Sequence, residues 1–395
     1  MSSDTDGQRI VALDALRGLA VAGMIVVTSP GAWEHSYAPL MHAAWNGWTP
    51  ADLVFPTFLF CVGLAIGLSM PGLSATDRAS PAVWIKFARR TALLVLLGLI
   101  LNALPTFDLA HLRFPGILQR IGLCYALGCL ICLPAARTGP DGMLRLDAGV
   151  TLSAAVALLI GYWALLAFTP VPGFGVGRLD TQGSLPAFVD RAVFTVPHLW
   201  VLGLTEGVGV TYDPEGLLST LPATVNVLIG AVAALLLRQP TDSLRPGRAA
   251  GLALVLGVAL IVAGLALDPL LPINKRIWTP SFALFSSGVA LTALAVLHAL
   301  LAFRVARIAA WPLKVLGGNA ILVFVISQVM GAYSSLALGQ GPDGAVITPQ
   351  AFGYALAQRL THDLKLASLL CALGVLTLII CLVAPLHRRG IHLRL

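Results

Sequence analysis

Long apolar runs recur along the whole of this 395-residue chain, and short polar connections separate them. A run of about 20 apolar residues is the length that an α-helix needs to cross the hydrocarbon core of a bilayer. Hydrophobic residues make up 57% of the sequence and charged residues only 11%, proportions that soluble domains do not reach. Because backbone groups in lipid must satisfy their hydrogen bonds internally, the sequence predicts an all-α fold, a polytopic integral membrane helical bundle.

Proline, glycine and charged residues mark the ends of the predicted spans. They indicate about ten transmembrane helices, near residues 10–29, 53–70, 88–105, 116–134, 148–169, 216–237, 249–267, 279–302, 313–338 and 365–385. Since the spans follow one another closely, residues 1–395 are expected to form a single transmembrane domain. The longest connection, 170–215, is large enough to form a lid or part of a site.

Lysine and arginine are distributed unevenly between alternate loops. One set of loops and termini holds sixteen of them and the other holds seven. Cytoplasmic loops retain positive charge, so both termini are predicted to be cytoplasmic. The loops 30–52, 106–115, 170–215, 268–278 and 339–364 should then face the other side. The net charge of +7 is explained by this topology, and nucleic acid is not an expected partner because no basic run is interleaved with aromatic residues.

Polar side chains within or beside the spans are candidates for function, because burying them in hydrocarbon is costly. Asp14 and Arg17 lie three residues apart in the first span and can pair on one helix face. Thr49 is a natural N-cap and Pro50 fits a first helical turn, which places Asp52 where the helix dipole favours an anion. Capping alone would explain Asp52. His42, just before it, can accept a proton near neutral pH, although an interfacial histidine can equally be structural.

Two further groups of polar residues precede or enter predicted spans. Arg113 is followed by Gln119 and Arg120, and Arg120 needs an acidic partner, carbonyl groups or an anionic ligand because its guanidinium stays charged. The second group is spread along the chain and comprises Asp213, Glu215, Asn226, Asn274, Lys275 and Asn319. Asp213 and Glu215 could equally be charges at the start of a helix.

These motifs together resemble the heparan-alpha-glucosaminide N-acetyltransferase family and its bacterial homologues. The resemblance is carried, in order, by His42-Ala43-Ala44-Trp45-Asn46-Gly47, Ala51-Asp52-Leu53-Val54-Phe55-Pro56, Pro115-Gly116-Ile117-Leu118-Gln119-Arg120, Tyr212-Asp213-Pro214-Glu215-Gly216 and Asn274-Lys275-Arg276-Ile277-Trp278. It implies a membrane acyltransferase that uses cytoplasmic acetyl-CoA as co-substrate, needs no metal and acetylates an amino sugar or glycan on the periplasmic side. It also implies residence in the inner membrane of a bacterium.

The resemblance assigns roles to individual residues. It implies that His42 is the catalytic base or a transient acyl carrier and that Asp52 supports it. The residues expected to bind acceptor or acyl-CoA are Thr28, Ser29, Trp45, Asn46, Arg113, Gln119, Arg120, Asp213, Glu215, Asn274, Lys275 and Asn319. The family usually has an asparagine near the end of the first helix, where this sequence has Thr28 and Ser29; a hydroxyl would therefore have to replace the amide.

Other functions are compatible with the same residues. An amino-sugar or oligosaccharide transporter would use them to bind its substrate without acyl transfer, and helices broken at proline and glycine suit that alternative. A structural membrane protein would have less need for so many ionisable residues near one membrane face. A homodimer is compatible with the sequence, as is a monomer.

Overall fold

A computed structural model describes residues 2–237, 246–340 and 346–391. The long helices are α1 (Ser2–Thr28), α2 (Val54–Ser69), α3 (Pro81–Asn102), α4 (Ile117–Ala135), α5 (Ala148–Phe168), α7 (Thr220–Leu237), α8 (Pro246–Leu267), α9 (Pro280–Leu300) and α14 (Leu364–Arg388). The shorter helices are α6 (Leu185–Phe194), α10 (Arg304–Ala309), α11 (Trp311–Gly318), α12 (Ala320–Tyr333) and α13 (Pro349–Gln358). Arg238, Arg245 and Arg394, which contribute to the charge asymmetry, and residues 341–345 of the predicted loop 339–364 lie outside the described residues.

Strands are limited to three short antiparallel hairpins in the described ranges. They are β1 (Arg137–Thr138) with β2 (Leu144–Arg145), β3 (Leu204–Thr205) with β4 (Gly209–Val210), and β5 (Gly339–Gln340) with β6 (Val346–Ile347). All of them lie in connections between helices. The predicted all-α class is therefore confirmed.

Eight helices of the described chain are long and apolar enough to cross a membrane, and a bent pair of helices would make a ninth. The prediction of about ten spans is close to this number. Helix α3 is 22 residues long and matches the predicted span 88–105, but it begins at Pro81 and has Lys86, Arg89 and Arg90 in its first half. Because of these three cations, α3 is not among the eight helices that are apolar enough to cross a membrane.

The predicted span 313–338 is not one straight helix. Helices α11 and α12 meet at Asn319 with a bend of 85°. Close contact with α1 accompanies the break: a Cβ on Gly18 would lie 1.9 Å from the Leu313 carbonyl oxygen, and one on Gly317 would lie 1.8 Å from that of Asp14. Arg17 pairs with Asp14 at 3.5 Å and donates to the Gly317 carbonyl at 3.3 Å, so the predicted pair also stabilises the end of α11.

Glycine allows the central helices to approach each other closely. Helix α7 is the most enclosed of the eight helices that are long and apolar enough to cross a membrane. A Cβ on Gly63 of α2 would lie 1.8 Å from the Val227 carbonyl oxygen, and one on Gly230 of α7 would lie 2.1 Å from that of Phe60. Packing of small residues is the main source of helix association in a bilayer, where burial of apolar surface gives little. This packing fixes α2, and the turn Pro50–Leu53 that leads into it holds part of the candidate site.

Candidate active site

Three of the predicted far-side loops, 30–52, 170–215 and 268–278, meet at one end of the bundle. The loop before α2 contacts the loop before α9 through Gly47, whose N–H donates to the Ile273 carbonyl at 2.7 Å. It also contacts the connection between α5 and α7, because the Trp45 indole N–H donates to the Leu179 carbonyl at 2.8 Å. Gly47 has φ +92°, a conformation that favours glycine. Three stretches of polar sequence are thereby brought together.

His42 and Asp52 form a pair at the centre of this region. His42 Nδ1 lies 2.8 Å from Asp52 Oδ1. The histidine side chain is 33% exposed, whereas that of Asp52 is 1% exposed. A buried carboxylate that accepts from Nδ1–H leaves Nε2 as the unprotonated nitrogen, and the exposed ring can present it to a substrate.

Helix capping explains why the Asp52 carboxylate is fixed in place. Its Oδ2 accepts the backbone N–H groups of Ala43 and Thr49, each at 3.0 Å. The Thr49 contact is half of a capping box at the turn Pro50–Leu53 that leads into α2. From the sequence, capping and catalysis were alternative roles for Asp52. In the structure, Oδ1 contacts His42, and Oδ2 accepts the backbone N–H groups that precede α2.

Lys275 adds a positive charge to the pair. Its Nζ lies 3.4 Å from Asp52 Oδ1, 3.2 Å from His42 Nδ1 and 3.5 Å from His42 Nε2. Burial lowers the pKa of His42 below its ordinary value; the hydrogen bond to Asp52 opposes this change and the Lys275 charge adds to it. Burial and the Lys275 charge therefore favour the neutral imidazole, the state that a base requires.

Asparagine side chains hold Lys275 beside the pair. Asn274 is 1% exposed, and its amide nitrogen donates to Asn46 Oδ1 at 3.1 Å. Its amide oxygen accepts the Ile277 N–H at 3.1 Å. The predicted ligand-binding residues Asn46 and Asn274 thus join the two loops that carry His42 and Lys275.

Arg113 is paired with both acidic residues that precede α7. Its Nε and Nη2 contact the two oxygens of Asp213 at 2.8 and 2.5 Å, and Nη2 also contacts Glu215 at 2.5 Å. Burial tends to raise the pKa of Glu215, but the nearby cations, Arg113 foremost, hold it below its ordinary value. Both carboxylates are therefore bound by one guanidinium, and α7 begins at Thr220, beyond both residues.

Arg120 lies in a polar cluster that is buried within the protein. It is 1% exposed, and its Nη2 donates to the Gly216 carbonyl at 2.7 Å and to Ser219 at 2.5 Å. The guanidinium also lies over the Trp278 ring, 5.2 Å from its centroid. Arg120 therefore faces protein carbonyl and hydroxyl groups and not lipid. Its Nε and Nη1, and both polar atoms of the Gln119 amide, have no hydrogen-bond partner among the described residues.

Asp190 of α6 joins this cluster, and sequence reasoning missed it. It is 1% exposed, and one oxygen accepts the Leu217 N–H at 2.8 Å. Burial raises its pKa to about 7, with Asp213 adding to the increase while Arg120 and Arg191 oppose it. A single aspartate in a polar connection has no sequence signal that distinguishes it from a solvated one.

Three predicted site residues, Thr28, Ser29 and Asn319, have no contact with the His42–Asp52 pair among the described contacts. The Thr28 hydroxyl donates to the Met24 carbonyl at 2.8 Å, at the end of α1, and Ser29 follows it. Asn319 is buried at the break between α11 and α12. A role for these residues in the reaction stays a prediction. In the described part of the chain, no group of three or more His, Cys, Asp or Glu side chains is placed to hold a metal ion.

The fold and this cluster define a class: a polytopic membrane helical bundle with a histidine–aspartate pair and a lysine at one end. The family model for "Heparan-alpha-glucosaminide N-acetyltransferase, catalytic" matches residues 9–264. Heparan-alpha-glucosaminide N-acetyltransferase of Mus musculus is 30% identical over 369 residues, which cover 83% of this chain and 55% of the mouse protein. The Homo sapiens protein of that name is 29% identical over 367 residues, covering 82% and 53%.

The chain belongs to the heparan-alpha-glucosaminide N-acetyltransferase family, as its motifs predicted. It spans about half the length of the curated relatives that it matches. The family match includes His42, Asp52, Arg113, Arg120 and Asp213, and it ends before Lys275.

Proposed function

We propose that this chain is a membrane acetyltransferase that moves an acetyl group from acetyl-CoA to an amino sugar or glycan. The single observation that carries the proposal is the partly exposed His42, paired with buried Asp52 at 2.8 Å and flanked by Lys275. Family membership supplies the reaction class. An acceptor amine must lose a proton before it can attack a thioester, and a hydroxyl must lose one as it attacks, so both need a base near neutrality.

His42 is the proposed base, acting through Nε2. It removes a proton from the acceptor, whose nitrogen or oxygen then forms a bond to the acetyl carbonyl carbon. The carbon–sulfur bond breaks, the electron pair leaves with the CoA thiolate, and the imidazolium returns a proton to the sulfur. The Lys275 ammonium, 3.5 Å from Nε2, is positioned to stabilise the negative charge that develops on the carbonyl oxygen. A route through acetyl-His42 uses the same nitrogen as nucleophile.

Sidedness is part of the proposal. The excess of lysine and arginine in the loops opposite the site supports cytoplasmic termini and a site on the far face. Acetyl-CoA would then enter from the cytoplasm and the acceptor from the other side. In a bacterium this membrane would be the inner membrane, and a homodimer stays a prediction.

Proteoliposomes test the reaction and its sidedness together. Purified protein is reconstituted with radiolabelled acetyl-CoA inside the vesicles and glucosamine outside, without an ion gradient. We expect labelled N-acetylglucosamine to form in the outer medium. The second candidate, an amino-sugar transporter, is favoured by the 85° break between α11 and α12. It predicts that unacetylated sugar equilibrates into the vesicles and that no acetylated product forms, and that result would refute the acetyltransferase proposal.

Lys275→Met is expected to change the pH dependence of transfer. The Lys275 charge lowers the pKa of His42, so its removal raises that pKa and more of the imidazole is protonated under mildly acidic conditions. The acid limb of the rate profile should therefore move to higher pH, with a loss at pH 6 several-fold larger than at pH 8. Rate measurements from pH 5 to 9 check this, with exposed Lys365→Met as the control. An equal loss at every pH would mean that Lys275 acts on binding or on the charge of the carbonyl oxygen, and not on the pKa of the base.

A further inference from the structure

Trp278 is enclosed beneath the turn 274–279, which carries Lys275. Its side chain is 0% exposed. The ring lies edge-on to Phe55 of α2 and Phe282 of α9, with centroids 5.5 and 5.2 Å away. The Arg120 guanidinium of α4 lies over it at 5.2 Å. Because it is fully enclosed by three helices, Trp278 can affect a reaction only through the residues around it.

The backbone of Trp278 has an unusual conformation. Its φ is +52°, in the left-handed region that residues with a Cβ rarely adopt. Its N–H donates to the Lys275 carbonyl at 3.2 Å, and the Thr279 N–H donates to the Asn274 carbonyl at 3.0 Å. A residue persists in this region only when its surroundings determine it. The conformation of the turn, and with it the place of Lys275, therefore depends on what holds the Trp278 side chain.

Asn226 of α7 holds that side chain. Its amide oxygen accepts the Trp278 indole N–H at 3.0 Å. Its amide nitrogen donates to the hydroxyls of Ser286 and Ser287 of α9 at 3.0 and 2.8 Å. All four residues are fully buried. An indole nitrogen can only donate, so the amide oxygen must face it and the two serines fix the other end. The turn that carries Lys275 is thus tied to α7 and α9 inside the bundle.

We propose that Trp278 and Asn226 are positioning residues, which hold the Lys275 ammonium beside His42 from inside the bundle. Their importance for acetyl transfer rests on the proposed function. The Lys275 Nζ lies 3.2 Å from His42 Nδ1 and 3.4 Å from Asp52 Oδ1, and at such short distances a small displacement changes the interaction of two charges substantially. Without the indole hydrogen bond, the turn relaxes from its left-handed conformation and withdraws the ammonium from the pair.

Labelling of His42 with diethyl pyrocarbonate in the purified full-length chain tests this without any substrate. The reagent attacks the neutral imidazole, so brief labelling from pH 4 to 8, scored on the His42 peptide by mass spectrometry, follows its protonation. Lys275 and Arg276 lower the pKa of His42 and the hydrogen bond to Asp52 raises it. Trp278→Phe keeps an aromatic ring but loses the indole N–H. If the ammonium moves away by about 1 Å, labelling at the wild-type midpoint should fall roughly threefold.

Asn226→Ala removes the same hydrogen bond from its other side and provides the test if Trp278→Phe does not fold. It should move the labelling midpoint in the same direction, to higher pH. Trp84→Phe is the matched control, because the Trp84 indole donates to the Arg78 carbonyl at 3.0 Å outside the candidate site. It should leave the midpoint unchanged. In a Lys275→Met background, neither Trp278→Phe nor Asn226→Ala should move the midpoint further, because the ammonium is absent.

The proposal has two outcomes that would overturn it. One is a wild-type labelling midpoint in Trp278→Phe or Asn226→Ala. The other is an equal shift with and without Lys275, because Trp278 would then act on His42 by another route. A midpoint that shifts only when Lys275 is present, in a chain that transfers no acetyl group, would support the positioning role and refute the proposed function. The two proposals therefore fail separately.

Discussion

His42→Ala should abolish most acetyl transfer while leaving the protein folded and able to bind acetyl-CoA. Removal of a general base typically costs about 10² to 10⁴ in rate, and removal of a nucleophile costs more. The side chain is 33% exposed and contacts the protein mainly through Asp52 and Lys275, so its truncation leaves no large cavity. We expect at least a hundredfold loss in kcat with purified protein, measured with radiolabelled acetyl-CoA at saturating concentration.

His111 provides a matched control for this experiment. Its Nδ1 lies 2.7 Å from Asp108 in a second histidine–aspartate pair, but both side chains are exposed. Within the described ranges, no lysine is hydrogen-bonded or ion-paired to either residue. His111→Ala should keep near-normal turnover. If His111→Ala lost activity and His42→Ala did not, the assignment of the base would be wrong. If neither mattered, transport without acyl transfer would become the leading hypothesis.

The helices were predictable because the bilayer fixes their length. Every predicted span overlaps a helix or, for 313–338, the α11–α12 pair, since an apolar run of about 20 residues has few alternatives in lipid. The 85° break at Asn319 was not predictable in the same way. Gly317 and Gly318 signal flexibility, but the close contact of Gly18 with Leu313 depends on how α1 packs against α11.

The part of the candidate site that is close in sequence was predictable, and the part that is distant in sequence was not. His42 and Asp52 are ten residues apart, and the capping signal at Thr49 already fixes where the carboxylate lies. The contact of Lys275 with His42 joins residues 233 positions apart. No periodicity predicts such a contact, because it follows from the packing of several helices. Asp190 shows the same limit: its burial depends on how the connection between α5 and α7 folds over α4, and a lone aspartate carries no signal of that.

Asp52→Asn is the second variant for which we expect a large effect, and it tests how the pair works. In the protein, Oδ1 faces His42 and Lys275, which both donate, while Oδ2 accepts two backbone N–H groups. An amide has only one oxygen. Its NH₂ group must therefore face either His42 and Lys275 or the two backbone N–H groups, all of which are donors. If it faces His42, the imidazole must carry its proton on Nε2 and cannot act as a base there. We expect transfer to fall by about 10² to 10⁴, as in other histidine–carboxylate pairs where the tautomer is lost.

The pH dependence distinguishes this role from a structural one. The hydrogen bond to Asp52 raises the pKa of His42, whereas the Lys275 charge lowers it. Residual activity of Asp52→Asn should therefore show an acid limb at lower pH than the wild type, opposite in direction to Lys275→Met. Asp108→Asn, at the exposed His111 pair, should leave the rate profile unchanged. A uniform loss of activity in Asp52→Asn with an unmoved acid limb, together with a lower melting temperature, would mean that Asp52 only caps the start of α2 and that the base is activated by another group.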